Sequence, residues 1–343
     1  MDKKIKVAIL GASGYTGLEL IRLVTGHPGM ELCGITSRTN AGKKLAEVFP
    51  RFAQSRFADV EFVMPDAICD MGVEAAFLAL PHGKAAEYAM ELLAVGVKVF
   101  DLSADFRLRE LATYEEFYGE HPAPHLLQQA VYGMPELYAD EIQQAELIAS
   151  PGCYPTSIIL PLIPLLRRGL IAPDTIQAFS MSGVSGAGRS ASIPLLFCEA
   201  NESVRAYGFP KHRHLSEIEQ ELSLAAGEKV TISFLPHLVP VQSGIATTLS
   251  ATLTGDWQQV GPALEDAYAE ARFVRLLGEG QCADTKHVTR TNYLDIGWHY
   301  DARTQRIFLT SAEDNVVKGA SGQSIHAFNL KFGFAPDCGL AAF

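Results

Sequence analysis

The stretch Ser150-Pro151-Gly152-Cys153-Tyr154-Pro155-Thr156 sets one thiol between a Pro-Gly pair and a long apolar run, Ser157 to Leu170. The Pro-Gly pair marks a turn, and the run is long enough for a buried helix. A cysteine at that junction sits over a helix N-terminus, where unpaired N–H groups and the helix dipole favour an anion. Such a setting lowers a thiol pKa and makes a thiolate nucleophile. The competing reading is a buried structural cysteine. Pro161 and Pro164 lie inside the run and remove the donors that would reach the carbonyls of Ser157 and Leu160. Interior prolines cost a helix about 3 kcal/mol each, so the expectation is a helix kinked or irregular near its middle.

A second chemical cluster is Lys211-His212-Arg213-His214. An imidazole suits proton transfer near neutrality, so either histidine is a candidate acid or base. Ser216-x-x-Glu219 follows as a capping box, predicting a helix with Leu215, Ile218 and Leu222 on one face. Ser182 to Arg189 is a Gly/Ser loop closed by arginine, readable as an anion-binding nest or as a flexible turn. Asn315 precedes Gly319, Gly322 and a terminal helix at Ser324 to Leu330. That helix can fold back on the first half and bring Asn315 to a bound nucleotide.

The elements that must position these groups begin at Ile5–Leu10, a short apolar strand. Gly11-Ala-Ser-Gly14-Tyr-Thr-Gly17 and a helix with Leu18, Leu20, Ile21, Leu23 and Val24 apolar follow at once. Strand, glycine turn and helix form a dinucleotide-binding context, although the spacing is G-x-x-G-x-x-G. Glu31 to Thr36 reads as the second strand. Its end, Thr36-Ser37-Arg38-Thr39 with Lys43 and Lys44 behind, lacks the acidic residue that selects NAD, so NADP(H) is expected. Ala75 to Leu80 and Lys98 to Leu102 are further buried strands around a helix at Lys84 to Val95. Pro81-His82-Gly83 and Asp101 to Arg107 follow strand ends, where ligands bind in open parallel sheets; Arg107 is thereby a candidate for phosphate or carboxylate. Residues 113–146 are polar with helical patches, and Leu147 to Ala149 is the last strand before the cysteine turn.

Thr175 to Met181, Val230 to Leu235, Ala246 to Leu253, Tyr293 to Trp298 and Arg306 to Thr310 suggest strands of a mainly antiparallel second sheet, with a helix at Val260 to Arg272. The fold class is α/β: a Rossmann NAD(P)-binding domain plus an α+β catalytic domain. The domains read as 1–150, joined by a terminal helix at 319–343, and 151–318.

Bulk properties narrow the partners. The 343 residues carry 28 Lys+Arg against 39 Asp+Glu, a net charge of −11. Such a chain is a poor binder of nucleic acid or anionic membrane, so a small anionic substrate needs a local basic pocket. The longest apolar stretch, Ile158 to Leu166, is about half a membrane span. No secretory pattern opens the sequence, and the six cysteines show no C-x-x-C or metal spacing. The expectation is a cytoplasmic, reduced protein without a metal.

With these motifs assembled, the chain resembles the N-acetyl-gamma-glutamyl-phosphate reductase family end to end. The resemblance is carried by Gly11–Gly17, Thr36-Ser-Arg38, Asp101–Arg107, Pro151-Gly-Cys-Tyr-Pro-Thr156, Ser182–Arg189, His212-Arg-His214 with Glu217, Pro236-His237 and Asn315–Gly319. The family belongs with the aspartate-semialdehyde dehydrogenases, in a fold like that of glyceraldehyde-3-phosphate dehydrogenase. The resemblance implies NADPH-dependent reduction of N-acetyl-L-glutamyl 5-phosphate to the semialdehyde in arginine biosynthesis, through a thioester on Cys153. His214, or else His212, handles protons. Cofactor contacts fall to Gly11, Ser13, Gly14, Tyr15, Thr16, Gly17, Ser37, Arg38, Pro81, His82, Ser103, Ser182, Gly183 and Asn315. Substrate contacts fall to Arg107 and Glu217. A homo-oligomer, dimer or tetramer, is also implied. Ser157 and Pro161 replace the small residues usual after the cysteine, and Ser243 stands where many relatives carry arginine. Alternative readings are a reductase of carrier-linked aminoadipyl or glutamyl phosphate and a non-catalytic nucleotide-binding relative.

Overall fold

Short runs buried on both faces can only pair inside a covered sheet, and the first half of the chain builds one. The computed structural model describes residues 4–340. These fall into two compact units, one running to Pro151 and taking in the chain again from Ala320, the other Gly152–Gly319. In the first unit the strands are β1 (Ile5–Leu10), β2 (Met30–Thr36), β3 (Phe62–Val63), β4 (Ala75–Leu78), β5 (Lys98–Asp101), β6 (Ala130–Tyr132) and β7 (Leu147–Ala149). They lie in the order β3-β2-β1-β4-β5-β7-β6, with every pairing parallel. The order reverses between β1 and β4, which opens a crevice beyond their carboxyl ends. β3 and β6 are too short to leave a periodic signal, and β6 falls within the polar stretch 113–146 expected to be only helical patches.

The chain returns to the first unit as the helix Gly322–Lys331, which packs on the helix Pro135–Gln144. Phe328 is fully buried, and its ring meets Phe77 at 5.9 Å and Phe100 at 5.7 Å. Asn329 accepts at Oδ1 from the buried His27 ring at 2.9 Å, and its Nδ2 donates to the carbonyls of Pro336 and Cys338. The expected helix over 319–343 is therefore shorter. It stops at Lys331, the chain continues in turns past Gly333 at φ +72°, and residues 341–343 lie outside the described residues.

In the second unit the strands are β8 (Gln177–Gly183), β9 (Arg205–Ala206), β10 (Ser233–Val239), β11 (Ile245–Thr252), β12 (Val274–Glu279), β13 (Leu294–Asp301) and β14 (Arg306–Glu313). Their order is β12-β13-β14-β11-β8-β10-β9. The sheet is mixed: β8 and β10 pair parallel, as do β12 and β13, while the remaining pairings are antiparallel. The helix expected over Val260 to Arg272 ends at Tyr268, because the chain must turn into β12. Among the described residues no helix is long and apolar enough to cross a membrane.

The cysteine helix corrects the expectation of a kink. It runs uninterrupted over Cys153–Arg167 with both prolines inside, packed on β11 and β14 and against the helices His214–Ala226 and Val260–Tyr268. Two side chains replace the missing donors. Ser311 Oγ on β14 donates to the Ser157 carbonyl at 2.6 Å, and the Tyr268 hydroxyl donates to the Leu160 carbonyl. These are the two acceptors that Pro161 and Pro164 leave unserved. The capping box also fails. The helix starts at His214, Ser216 Oγ donates back to the Arg213 carbonyl, and Glu219 Oε1 accepts from the Ile232 amide.

Stranding a buried carbonyl costs about 1–3 kcal/mol, so Tyr268→Phe and Ser311→Ala should each lower unfolding free energy by that amount in urea titrations. In a Pro161→Ala background the restored amide serves Ser157, and Ser311→Ala should then cost much less. An unchanged cost in that background would refute the replacement.

Candidate active site

In the first unit, the turn after β1 needs its glycines for packing. Gly11 sits at φ +82°, and a Cβ there would lie 2.2 Å from the Ala79 carbonyl oxygen; one on Gly17 would lie 2.4 Å from the Gly11 oxygen. Gly14 differs. A Cβ would meet only the Gly11 oxygen at 3.6 Å, so the protein itself does not demand glycine there, whereas a closely approaching ligand would. Gly14 is the N-cap of the helix Tyr15–Gly26 and provides no side-chain cap, which leaves the helix amides of the Tyr15 and Thr16 turn for an anion. Gly11, Ser13, Ser37, Arg38 and Pro81 line one cavity of about 320 Å³ with Thr36, Thr39, Pro65, Leu80, Lys84 and Tyr88. Its hydroxyls form a web. Ser37 Oγ donates to Ser13 Oγ at 3.4 Å, shares a 3.2 Å bond with Thr39 Oγ1, and accepts from Asn40 Nδ2. Two cations and no carboxylate line the cavity. These residues fit a dinucleotide carrying a 2′-phosphate. Lys44 is not among them; its ammonium pairs with Asp59 at 2.8 Å.

Three other expected residues of this unit are placed differently. The His82 ring lies against Tyr118 at 5.6 Å, outside the cavity lining. Ser103 Oγ donates to Asp101 Oδ2 at 2.8 Å and accepts from the Asp105 amide, bracing the chain after β5. Burial, then the neighbouring Asp105, pushes Asp101 up to about 7. Asp105 in turn accepts from the Gly83 and Ala86 amides at 2.6 and 2.9 Å, and so holds the start of the helix Ala85–Ala94. Arg107, expected on phosphate, is buried, with Nε on the Ser150 carbonyl at 2.8 Å and Nη2 on the Leu102 carbonyl at 3.0 Å. It ties down the main chain that enters the cysteine turn.

In the second unit, Cys153 opens its helix behind the N-cap Gly152. The Gly152 amide donates to Glu217 Oε1 at 2.8 Å, and Glu217 is almost wholly buried. Glu217, expected on substrate, instead anchors the nucleophile's turn from the helix that begins at His214. Tyr154, next to the thiol, packs its ring on His212 at 5.5 Å and on His214 at 5.9 Å. Its hydroxyl shares a 2.7 Å bond with Tyr207, and burial keeps it a phenol. Burial, reinforced by Arg213, depresses His212 to about 4, so it is neutral near pH 7. Its Nδ1 accepts from the His214 amide at 3.1 Å and caps the helix. His212 Nδ1 is thereby engaged at the start of the helix that carries His214. Cys153, His212, His214 and Glu217 form one group.

Asn315 belongs to a neighbouring group. Its Oδ1 accepts from the Gly244 amide at 2.7 Å and its Nδ2 donates to Ser185 Oγ at 3.0 Å. Ser185 also bonds Ser243 Oγ at 3.1 Å. Ser182 Oγ donates to the Gly183 carbonyl at 3.1 Å, and Gly183 passes so close to Gln242 that a Cβ would lie 2.8 Å from its carbonyl oxygen.

Several contributors escaped sequence reading. A Cβ on Gly319 would fall 2.7 Å from Cys153 Cβ and 2.8 Å from Glu313 Oε1, so only glycine lets that segment pass the thiol. The G-A-S-G spacing hinted at a turn but not at its neighbour. Lys84 and Tyr88 were read only as parts of the helix Lys84 to Val95, and Tyr207 carried no pattern. Among the described residues no group of three or more His, Cys, Asp or Glu is placed to hold a metal ion.

Comparison with known proteins identifies the family and the fold. Residues 6–145 match the semialdehyde dehydrogenase NAD-binding domain, and residues 153–315 match the semialdehyde dehydrogenase dimerisation domain. An N-acetyl-gamma-glutamyl-phosphate reductase of Akkermansia muciniphila is 60% identical, with 98% of this chain and 99% of that protein covered. One from Desulfotalea psychrophila is 48% identical, with 98% of each covered. Among solved structures, aspartate semialdehyde dehydrogenase II of Vibrio cholerae superposes with a TM-score of 0.73 at 17% identity, covering 97% of this chain and 99% of that one. The Candida albicans aspartate semialdehyde dehydrogenase with NADP gives 0.70 at 15%, covering 96% and 98%. At such identities these structures speak for the fold alone.

His212 makes stability depend on pH. An unfolded histidine takes its proton near 6.5, while the folded one resists to about 4. Stability from this group is full above about pH 6.5 and is lost as pH falls toward about 4. His27, also lowered by burial, acts in the same direction. His212→Asn, which keeps an acceptor for the His214 amide, should flatten the fall in unfolding free energy between those limits. An unchanged slope would show that His212 is not buried neutral.

Proposed function

The chain belongs to the N-acetyl-gamma-glutamyl-phosphate reductases, and we propose how its own residues reduce N-acetyl-L-glutamyl 5-phosphate to N-acetyl-L-glutamate 5-semialdehyde and phosphate in arginine biosynthesis. One observation supports the assignment most strongly. Cys153 stands at the first turn of a buried helix, its preceding amide is held by Glu217, and its neighbour Tyr154 meets both rings of the histidine pair edge to face. A thiolate there attacks the acyl carbon, the carbon–oxygen bond to phosphate breaks, and a thioester forms on Cys153. His214 takes the thiol proton and passes it to the departing phosphate. The Gly11–Gly17 turn, Ser37 and Arg38 would hold NADPH, which when bound would supply a hydride for the thioester carbon. The resulting oxyanion collapses as the carbon–sulfur bond breaks, which frees the semialdehyde and regenerates the thiolate. Glu217 and His212 serve by position. Asn315 is assigned to the carboxamide end of the cofactor, with Ser182 and Gly183 beside it, and Arg107 to the turn rather than to phosphate.

The protein is a homo-oligomer in this reading, and its second unit supplies the surface. Strand β8 alternates: Ala178, Ser180 and Ser182 are buried, while Phe179 and Met181 remain 38% and 50% exposed. Leu235 and His237 of β10 and Ala246 of β11 sit in register beside them, giving an apolar sheet face. A second copy of this chain fits that face, consistent with the dimerisation-domain match over 153–315. A dimer, or a tetramer built from dimers, is the proposed state, and the cytoplasm the proposed compartment.

Phosphate-dependent reduction of NADP⁺ by N-acetylglutamate semialdehyde tests the chemistry. Cys153→Ser should lose about a thousandfold or more in kcat/KM. His214→Asn should lose on the order of 10²–10⁴-fold. Turnover persisting in Cys153→Ser would sink the thioester route. Met181→Glu should lower the solution mass to that of one chain by light scattering; an unchanged mass would move the interface elsewhere.

A further inference from the structure

We infer that Lys84 is a second cation for the adenosine 2′-phosphate of NADP(H), acting with Arg38, and that Tyr88 positions Arg38 for it. This rests on the NADP(H) reading above and goes beyond the residues assigned there.

In the sheet order β3-β2-β1-β4, strand β1 lies between β2 and β4. Arg38 follows the end of β2, and Lys84 follows the end of β4 as the N-cap of the helix Ala85–Ala94. The two cations thus arrive from opposite sides of β1, yet both line the same cavity, together with Ser37 and Thr39. Tyr88, one turn into that helix, accepts from Arg38 Nη2 at 3.5 Å. The contact is long and loose, a tether rather than a strong bond.

The carboxylates that face these cations are outside the lining. Lys84 Nζ pairs with Glu87 Oε1 at 2.9 Å, with side chains 55% and 47% exposed. Asp66 and Glu87 also bear on Arg38. An exposed pair three residues apart in a helix is weak and further screened by salt. A phosphate dianion meeting two cations and two hydroxyls competes well against it, because charge-assisted bonds are roughly twice as strong as neutral ones. NAD(H) presents a hydroxyl at the same place and offers neither cation a counter-charge. Lys84 therefore favours NADP(H) over NAD(H) and contributes little to the rest of the dinucleotide.

Calorimetric titration of the full chain with NADP⁺, and separately with NAD⁺, tests this without turnover. Lys84→Gln removes the charge and keeps a polar side chain one atom shorter. It should weaken NADP⁺ about tenfold while moving NAD⁺ by less than about twofold, and should flatten the salt dependence of NADP⁺ binding. Tyr88→Phe, which keeps the ring, should weaken NADP⁺ about threefold and leave NAD⁺ unchanged. Equal losses for both nucleotides, or no loss for NADP⁺, would overturn the role of Lys84. If the unaltered protein itself fails to prefer NADP⁺, the cofactor reading falls first. If it does prefer NADP⁺ and Lys84→Gln preserves the preference, only this inference falls.

Discussion

The catalytic arrangement depends on one hydrogen bond, from the Gly152 amide to the Glu217 carboxylate. A buried carboxylate is costly to desolvate, and a charge-assisted bond to a main-chain N–H offsets part of that cost. What the fold gains is register. Glu217 lies three residues beyond His214, on the same side of its helix, so the bond locks the helix that begins at His214 to the turn bearing the thiol.

The cysteine helix can be fully buried only because its polar atoms are served from outside. Its interior is apolar apart from a small network in which Ser157 Oγ bonds Thr247 Oγ1 at 2.8 Å and Thr247 bonds Ser180 at 2.8 Å. Ser311 and Tyr268 complete it at the carbonyls released by proline. The prolines are therefore not defects. Each carbonyl they free becomes an attachment point for a neighbouring element, so the helix is fastened to β14 and to the helix Val260–Tyr268 by directional bonds as well as by packing.

Legibility in the sequence followed the range of the interactions. The strands β1, β2, β4, β5 and β7 were readable because burial on both faces makes them continuous apolar runs. The glycine turn and the thiol before an apolar run were readable because both motifs are local. The short strands β3, β6 and β9 were not, since they exist only by pairing with longer neighbours. Ser216 and Glu219 had the spacing of a cap, but a carbonyl three residues back took the first side chain and the Ile232 amide the second. Arg107 followed a strand end as a ligand would, and its guanidinium went to main-chain carbonyls instead. The unbroken proline helix could not be foreseen, because its substitutes lie more than a hundred residues downstream.

The first unit is assembled from both ends of the chain. Phe328 completes the ring cluster with Phe77 and Phe100, and the helix bearing it covers the helix Pro135–Gln144. On the ribosome, the nucleotide-binding sheet is made first but lacks this cover until residues beyond Ala320 have emerged. The second unit, continuous over Gly152–Gly319, has all its residues synthesised earlier. Assembly during synthesis therefore runs against the order of the sequence: the part begun first is closed last, and a chain cut short near its end loses the integrity of its beginning.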